Sequence, residues 1–194
     1  MKKSDVIIIG AGASGLLASI VAARRGKSVV VVERHVKVGR KILATGNGRC
    51  NITNRDLDIS NFHGNDSLFA SFALSQFTYQ QSIDFFADLG LPIVSKENGR
   101  CYPLSNQASS VSQLLEAEAL RLGVEIVFEY EVSKISKKST QFVVVDNENR
   151  SYQANALIMA CGGKAAAKLS SDGLGYTLAK SLYHSIIRSE ERRV

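Results

Sequence analysis

Three glycines and one acid have a spacing that can hold a dinucleotide. Gly10, Gly12 and Gly15 follow the run DVIII as G-x-G-x-x-G, and Glu33 ends a second apolar run. Gly10 permits a tight turn, Gly12 lets backbone amides approach a pyrophosphate, and Gly15 allows close helix–strand packing. Glu33 would accept hydrogen bonds from an adenosine ribose, and an acid there disfavours the 2′-phosphate that Arg34 could suit. A tight turn without a ligand is the alternative.

A long polar segment, Gly39–Asn54, follows the second apolar run. Its sequence, GRKILATGNGRCNITN, combines Arg40, Lys41 and Arg49 with open glycine amides, which suits an extended anionic ligand. A simple nicotinamide-binding fold would lead promptly into another helix, whereas the longer FAD needs separate segments along its length. The segment therefore favours FAD and predicts a loop that forms a second wall for it. A surface loop with solvated charges is the alternative.

The elements that position these residues form one βαβ unit. Asp5–Gly10 and Ser28–Glu33 are continuous apolar runs, as in buried parallel strands. Leu16–Arg25 has helical spacing of its apolar residues, and Gly26 provides a stop. The spacing predicts a strand, a helix and a second parallel strand.

Later segments predict an insertion and a small meander. Ser67–Phe77 and Tyr79–Leu89 have helical spacing, and Ser110–Leu122 begins with the capping-box spacing of Ser110 and Gln113. The aromatic residues near helical spacing are expected in the core: Phe69, Phe72, Phe77, Phe85 and Phe86. Four strands are predicted at Val124–Phe128, Glu131–Ile135, Phe142–Val145 and Ala156–Met159, followed by a helix at Gly175–Tyr183. The fold class is thus an α/β, FAD-binding, Rossmann-like doubly wound parallel sheet with a helical insertion and an antiparallel meander at about 124–153.

Composition indicates a globular protein with an anionic partner. The 194 residues are 45% hydrophobic with a net charge of +6, which fits a phosphate-bearing cofactor or a nucleic acid. The apolar runs are strand-length and MKKSDV is no signal peptide, so we expect a cytoplasmic protein without a membrane partner. Cys50, Cys101 and Cys161 are widely spaced and odd in number, which argues against a disulfide framework. The histidines have no spaced partners, and no metal site is expected.

Five motifs together resemble the aminoacetone-oxidase/BaiN-type family of FAD-dependent oxidoreductases, which are two-dinucleotide-binding-domain flavoproteins. They are Gly10–Gly15, Gly39–Asn54, Gly99–Ser105 (GRCYPLS), Ala160–Gly163 (ACGG) and Ser171–Tyr176 (SDGLGY). The resemblance runs from residue 3 to about residue 187, and its GRK…GRCN.TN string is more specific than the glycine pattern.

The resemblance implies that FAD is held non-covalently. The resemblance implies that the pyrophosphate lies at Gly10, Gly12, Ala13, Ser14 and Gly15, and that the adenosine lies near Glu33 and Arg34. The phosphates and the flavin would lie along Arg40, Lys41, Gly48, Arg49, Cys50 and Asn51. The adenine would contact the Val132 backbone, and Gly162 and Gly163 would close the nearby strand end. No catalytic residue is assigned, because in such enzymes the flavin ring does the chemistry. The implied activity is hydride transfer from a small substrate, such as an amine, to flavin.

Family members are about twice as long, so the chain is expected to be truncated. The predicted organisation is a FAD-binding domain at 1–56 and 105–187, a helical insertion at 57–104 and a charged tail at 188–194. The substrate domain and the C-terminal segment that closes the cofactor site would be missing, and no turnover is expected. Two alternatives remain: a FAD-dependent RNA-modifying flavoprotein, which ranks lower without a dense basic stripe, and an inactive dinucleotide-binding fragment.

Overall fold

The structure is a computed structural model that describes residues 2–63, 66, 68–164, 167–169 and 171–187. Its strands are β1 (Lys2–Ile9), β2 (Val29–Val32), β3 (Thr53–Asn54), β4 (Ile93–Ser95), β5 (Arg100–Pro103), β6 (Glu125–Val127), β7 (Val132–Lys138), β8 (Gln141–Asp146) and β9 (Ser151–Met159). Its α-helices are α1 (Ala13–Arg24), α2 (Arg40–Ala44), α3 (Ser71–Gln76), α4 (Tyr79–Asp88), α5 (Ala108–Arg121) and α6 (Leu174–Ser181). The tail predicted at 188–194 lies outside the described residues.

Contacts divide the chain into two compact units. The first contains residues 1–41 and 115–194, and the second contains residues 42–114. The predicted division into a FAD-binding domain and an insertion also assigns a function to each part. The two compact units do not test that assignment, so it stays a prediction.

A six-stranded mixed sheet forms the first unit, in the order β6-β2-β1-β9-β8-β7. The pairs β6–β2, β2–β1 and β1–β9 are parallel, and β9–β8 and β8–β7 are antiparallel. The carboxyl ends of β1, β2 and β9 therefore lie along one edge of the sheet. The predicted α/β Rossmann fold class is confirmed.

The apolar runs of β1 and β2 are buried, as expected for parallel strands covered on both faces. Ile7 and Ile8 have no exposed surface, and Val29–Val32 are buried throughout. Helix α1 contributes Leu16 and Ile20 to this core and ends before Gly26, as predicted. It begins three residues before the predicted start, because the Gly12 carbonyl already accepts a hydrogen bond from the Leu16 N–H at 2.9 Å.

The antiparallel meander consists of β7, β8 and β9, at residues 132–159 rather than about 124–153. The segment predicted at Val124–Phe128 forms β6, which pairs in parallel with β2. Strand β9 is longer than predicted because its first half pairs with β8 while it also pairs with β1 along its length.

The second unit contains more than the predicted helices. Strands β3, β5 and β4 form a small antiparallel sheet that sequence analysis did not predict. Helix α4 agrees with its predicted span, and Thr78 and Gln81 form a capping box at its start. The predicted capping box at Ser110 is wrong, because α5 already begins at Ala108. The loop predicted within Gly39–Asn54 includes the short helix α2, followed by a 3-10 turn at Thr45–Gly48.

The prediction that the aromatic residues of this unit form a core is mostly wrong. Phe69 is 84% exposed, Phe72 is 75% exposed and Phe77 is 48% exposed, whereas Phe86 is buried. Helix α3 has only six residues and buries none of them. A helix of six residues makes fewer than two turns, and apolar spacing over that length is a weak signal for burial. Residue 67, the predicted start of that helix, lies outside the described residues.

Candidate functional site

The loop between β1 and α1 leaves open space at its middle glycine. Gly12 has a φ of −80°, which any residue can adopt, and a Cβ there would meet no described atom within 4 Å. Among the residues that the structure describes, no side chain caps α1, and the first turn of α1 contains no acid. Ala13 and Ser14 are exposed. The free backbone N–H groups of such a helix start, with its partial positive charge, bind phosphate well.

The two outer glycines of the loop are required by the protein itself. Gly10 has a φ of +102°, and a Cβ there would lie 2.8 Å from the carbonyl oxygen of Ala160. A Cβ at Gly15 would collide with the carbonyl oxygen of Gly10. The Ala160 N–H donates to the Ile9 carbonyl at 2.8 Å. The outer glycines therefore let α1, β1 and the end of β9 approach closely, whereas Gly12 leaves a cradle that a side chain would fill.

Glu33 is buried beside this loop at the end of β2. Its Oε2 accepts a hydrogen bond from the Ala11 N–H at 2.8 Å, and its Oε1 accepts one from the His35 N–H at 3.0 Å. A carboxylate has about four lone-pair positions, so acceptor capacity remains for ligand hydroxyls. The structure thus places Glu33 beside the glycine loop, where its hydrogen bonds brace the loop. Its binding of a ribose stays a prediction.

Arg34 forms an ion pair that sequence analysis did not find. Its Nη1 lies 2.6 Å from Asp172 Oδ2 and 3.8 Å from Glu131 Oε1. The hydrogen bond from Arg34 lowers the pKa of Asp172 to about 2, and the same bond raises the pKa of Arg34. Asp172 Oδ1 also accepts from the Leu174 N–H at 3.1 Å. The acid belongs to the SDGLGY motif, but spacing alone does not show that it meets the residue after Glu33.

Arg40 and Lys41 lie at the start of α2. Arg40 Nη1 lies 3.0 Å from His35 Nε2. Lys41 Nζ donates to the hydroxyl of Ser171, which is buried. Both basic side chains belong to the first unit and contact other residues of that unit.

The ACGG turn follows β9 at the same edge of the sheet. Gly162 has a φ of +75°, and a Cβ there would lie 3.4 Å from Lys41 Nζ and 3.5 Å from Ser171 Oγ. Gly163 is partly buried. Burial raises the pKa of the Cys161 thiol, which keeps the thiol neutral. The structure thus brings Gly162 and Lys41 together.

Val132 is the first residue of β7, and its side chain is buried in a core cluster with Ile7, Ile9 and Val30. Its pairing with Asp146 is followed by a register shift. Because the side chain is in the core, any ligand contact at Val132 is through its backbone.

Four predicted residues belong to the second unit. Gly48 is exposed with a φ of +80°, and burial raises the pKa of the Cys50 thiol. The Arg49 guanidinium lies 5.0 Å from the centre of the Tyr102 ring, and its Nε donates to the Gly46 carbonyl at 3.1 Å. The Asn51 amide, oriented to suit its neighbours, donates to the carbonyls of residues 101 and 53 at 3.1 and 2.9 Å. Their assignment to a cofactor stays a prediction.

Two negative findings apply to the described residues. None of their histidine, cysteine and acidic side chains form a group of three or more that could hold a metal ion. No helix among them has both the length and the apolar character needed to span a membrane.

The fold is that of a FAD-binding Rossmann domain. The chain belongs to the family described as HI0933-like protein Rossmann domain, which matches residues 4–189. The predicted family resemblance and the predicted cofactor are confirmed.

Curated relatives are longer than this chain. A 3-dehydro-bile acid delta(4,6)-reductase from Clostridium scindens is 45% identical over 181 residues, which cover 92% of the chain and 44% of that protein. A ribosomal RNA dihydrouridine synthase from Haemophilus influenzae is 33% identical over 181 residues, with 91% and 45% covered. The chain thus spans less than half the length of these relatives.

A solved structure shows the same fold. The open conformation of a flavocytochrome c3 fumarate reductase matches with a TM-score of 0.61 and 17% identity, covering 93% of this chain and 40% of that one. At this identity the likeness supports the fold alone.

Proposed function

We propose that the carboxyl edge of β1, β2 and β9 holds the adenosine and pyrophosphate half of FAD. The pyrophosphate binds at the backbone of the glycine loop, and Glu33 accepts hydrogen bonds from the ribose while Arg34 lies near the adenosine. The loop residues concerned are Gly10, Gly12, Ala13, Ser14 and Gly15. The open space at Gly12, beside an uncapped helix start, carries this proposal.

Further residues extend the proposed site. Lys41 and Gly162 are adjacent at the same edge, which supports a role beside the phosphates. The remaining positions rest on the family resemblance: Arg40, Gly48, Arg49, Cys50, Asn51, Gly163 and the backbone of Val132. Each is tested by whether its substitution changes FAD affinity without changing the fold.

We propose that the whole protein transfers hydride between flavin and a carbon atom of a small molecule. When bound, FAD supplies two-electron chemistry, and this chain binds and orients it. The sequence predicts transfer from a substrate such as an amine to flavin. The relative named as a delta(4,6)-reductase favours the opposite direction, from reduced flavin to a carbon–carbon double bond. The free cysteines support a reducing, cytoplasmic location.

Anaerobic mixing experiments distinguish the two directions. Oxidised, FAD-loaded protein mixed with small amines loses its visible flavin absorbance if hydride passes to flavin. Photoreduced protein mixed with an unsaturated 3-oxosteroid regains that absorbance if hydride passes to the double bond. Because this chain spans less than half the length of its curated relatives, the mixing needs a protein of the relatives' length. Free FAD is the control, and rates from that longer protein no greater than those of free FAD in both arms would contradict an oxidoreductase role.

An RNA-modifying flavoprotein is the second candidate. The observations that favour it are the 33% identical ribosomal RNA dihydrouridine synthase and the net charge of +6. Filter binding of a ribosomal RNA fragment at increasing salt tests it, because phosphate contacts make affinity fall steeply with salt concentration. Binding no tighter than that of a basic control protein would exclude this candidate.

A further inference from the structure

Two consecutive residues before α6 each hold a basic side chain from the segment after β2. Asp172 binds Arg34 through a carboxylate, and Ser171 binds Lys41 through a hydroxyl. Ser171 is only 2% exposed, and Lys41 is partly buried. The two contacts thus differ in one physical respect, which is the charge of the acceptor.

A hydroxyl fixes the position of an ammonium group without neutralising it. The carboxylate of Asp172 offsets the charge of Arg34, whereas Ser171 leaves the charge of Lys41 in place. Within the described part of the chain, Lys41 forms no ion pair with an acidic side chain. Its positive charge is therefore available to an anionic ligand.

The Lys41 ammonium lies beside the turn that follows β9. A Cβ at Gly162 would lie 3.4 Å from Lys41 Nζ, and a Cβ at Gly10 would lie 2.8 Å from the carbonyl oxygen of Ala160, at the start of the same turn. Ligands of open α/β sheets bind outside the carboxyl ends of the strands. The held ammonium lies at that edge.

We propose that Ser171 is a positioning residue that holds the Lys41 ammonium beside the Gly162 turn to bind the diphosphate of the cofactor. This inference rests on the proposed site, since Lys41 needs an anionic ligand there. Ser171 itself acts through Lys41 and touches no phosphate.

Calorimetric titrations with ADP and adenosine test the inference, because only ADP carries the diphosphate. Lys41→Met should weaken ADP binding about tenfold or more, the effect of losing a hydrogen bond to a charged group. Ser171→Ala should weaken ADP binding several-fold, lower its salt dependence and leave adenosine binding unchanged. Ser171→Ala added to Lys41→Met should have no further effect. Ser19→Ala, which removes another buried hydroxyl, should leave ADP affinity unchanged.

The outcomes separate this inference from the proposed site. If the parent protein binds neither ADP nor FAD, the proposed site is wrong. Two results with a parent that binds ADP would show that Ser171 is structural and would overturn the inference. In one, Ser171→Ala weakens the binding of ADP and of adenosine equally. In the other, the loss of ADP affinity caused by Ser171→Ala adds fully to the loss caused by Lys41→Met. Unchanged ADP binding in Ser171→Ala also overturns it. Circular dichroism identifies a variant that does not fold. If Ser171→Ala does not fold, Ser171→Thr, which keeps the hydroxyl, should still bind ADP with the affinity of the parent. A folded Ser171→Thr with weaker ADP binding would count against a positioning role.

Discussion

Glu33, at the end of β2, has one role in the structure and a second that we propose. Its oxygens accept hydrogen bonds from the N–H groups of Ala11 and His35, which fixes the glycine loop. It is also the acid expected to bind the ribose. The sequence pattern predicts only the second role, because a backbone partner 22 residues away is visible only in the folded chain.

Substitution of Glu33 separates these roles. Glu33→Ala should lower both stability and FAD affinity, each by about 1–3 kcal/mol, because a buried N–H loses its acceptor and the ribose hydroxyls lose theirs. Glu33→Gln keeps one acceptor for Ala11, so we expect a smaller stability loss but weaker FAD binding. Thermal unfolding and FAD titration measure the two effects, with the exposed Glu148→Ala as control. FAD affinity equal to the parent in both variants would remove Glu33 from the site.

At the scale of elements, β9 connects the parallel and antiparallel parts of the sheet. It pairs in parallel with β1 and antiparallel with β8. Beside it, Tyr130 is buried, and its hydroxyl oxygen lies 3.0 Å from the Val144 carbonyl and 2.7 Å from the Arg150 carbonyl. Burial raises the pKa of Tyr130 above its usual range. The phenol therefore remains a hydrogen-bond donor and fastens the β8–β9 turn.

Tyr130→Phe should destabilise the protein by about 1 kcal/mol, since the carbonyls lose a donor while the ring is kept. Tyr152→Phe is the matched control, because the Tyr152 ring packs against Tyr130 but its hydroxyl reaches Glu125 only at 3.5 Å. Urea unfolding of the two variants measures the difference. Equal losses would show that the Tyr130 hydroxyl adds nothing to the turn.

The ion pair that joins the end of β2 to the start of α6 predicts a pH dependence. Because Arg34 lowers the pKa of Asp172 from 3.8 to about 2, the pair stabilises the fold above that ordinary value. Its contribution falls as the pH drops through about 2 and Asp172 becomes protonated. The carboxylate is half exposed, so solvent screening limits the contribution to ~0.5 kcal/mol.

Asp172→Asn should abolish this part of the pH dependence. The stability difference between the parent and Asp172→Asn should be constant at neutral pH and shrink as the pH falls below 3.8. Urea unfolding at a series of acidic pH values measures that difference. A difference that grows on acidification has the opposite sign and would rule out the ion pair as its source.

Elements with strong sequence signals were predicted, and those without were missed. The runs of β1 and β2 and the Gly26 stop of α1 define their elements to within a few residues, because burial on both faces demands unbroken apolar sequence. Strands β3, β4 and β5 have two to four residues each, too few to show a period. In the candidate site, the glycine loop and Glu33 were predicted from their spacing. Ser171 and Asp172 could not be predicted, because each acts on a basic side chain that is distant in the sequence.

At the scale of the whole molecule, one edge of the large sheet collects the features needed for a cofactor. The open glycine loop, Glu33 and the Lys41 side chain beside the Gly162 turn come from separate parts of the sequence and meet at the ends of β1, β2 and β9. The chain spans less than half the length of its curated relatives. Its testable contribution is therefore cofactor binding, and the reaction of the whole protein is a separate question.

Calorimetric titration of FAD into the parent protein and into Gly12→Val tests whether the glycine loop binds the pyrophosphate of FAD. Valine at this position fits the backbone and meets no described atom, so the variant should fold with unchanged circular dichroism. Its side chain would fill the space that a pyrophosphate needs, so FAD binding should fall at least about tenfold. Gly15→Val is the contrasting control, since it should disrupt the fold itself. Equal FAD affinity in folded Gly12→Val and the parent would contradict pyrophosphate binding at this loop, because the glycine loop would then be only a structural turn.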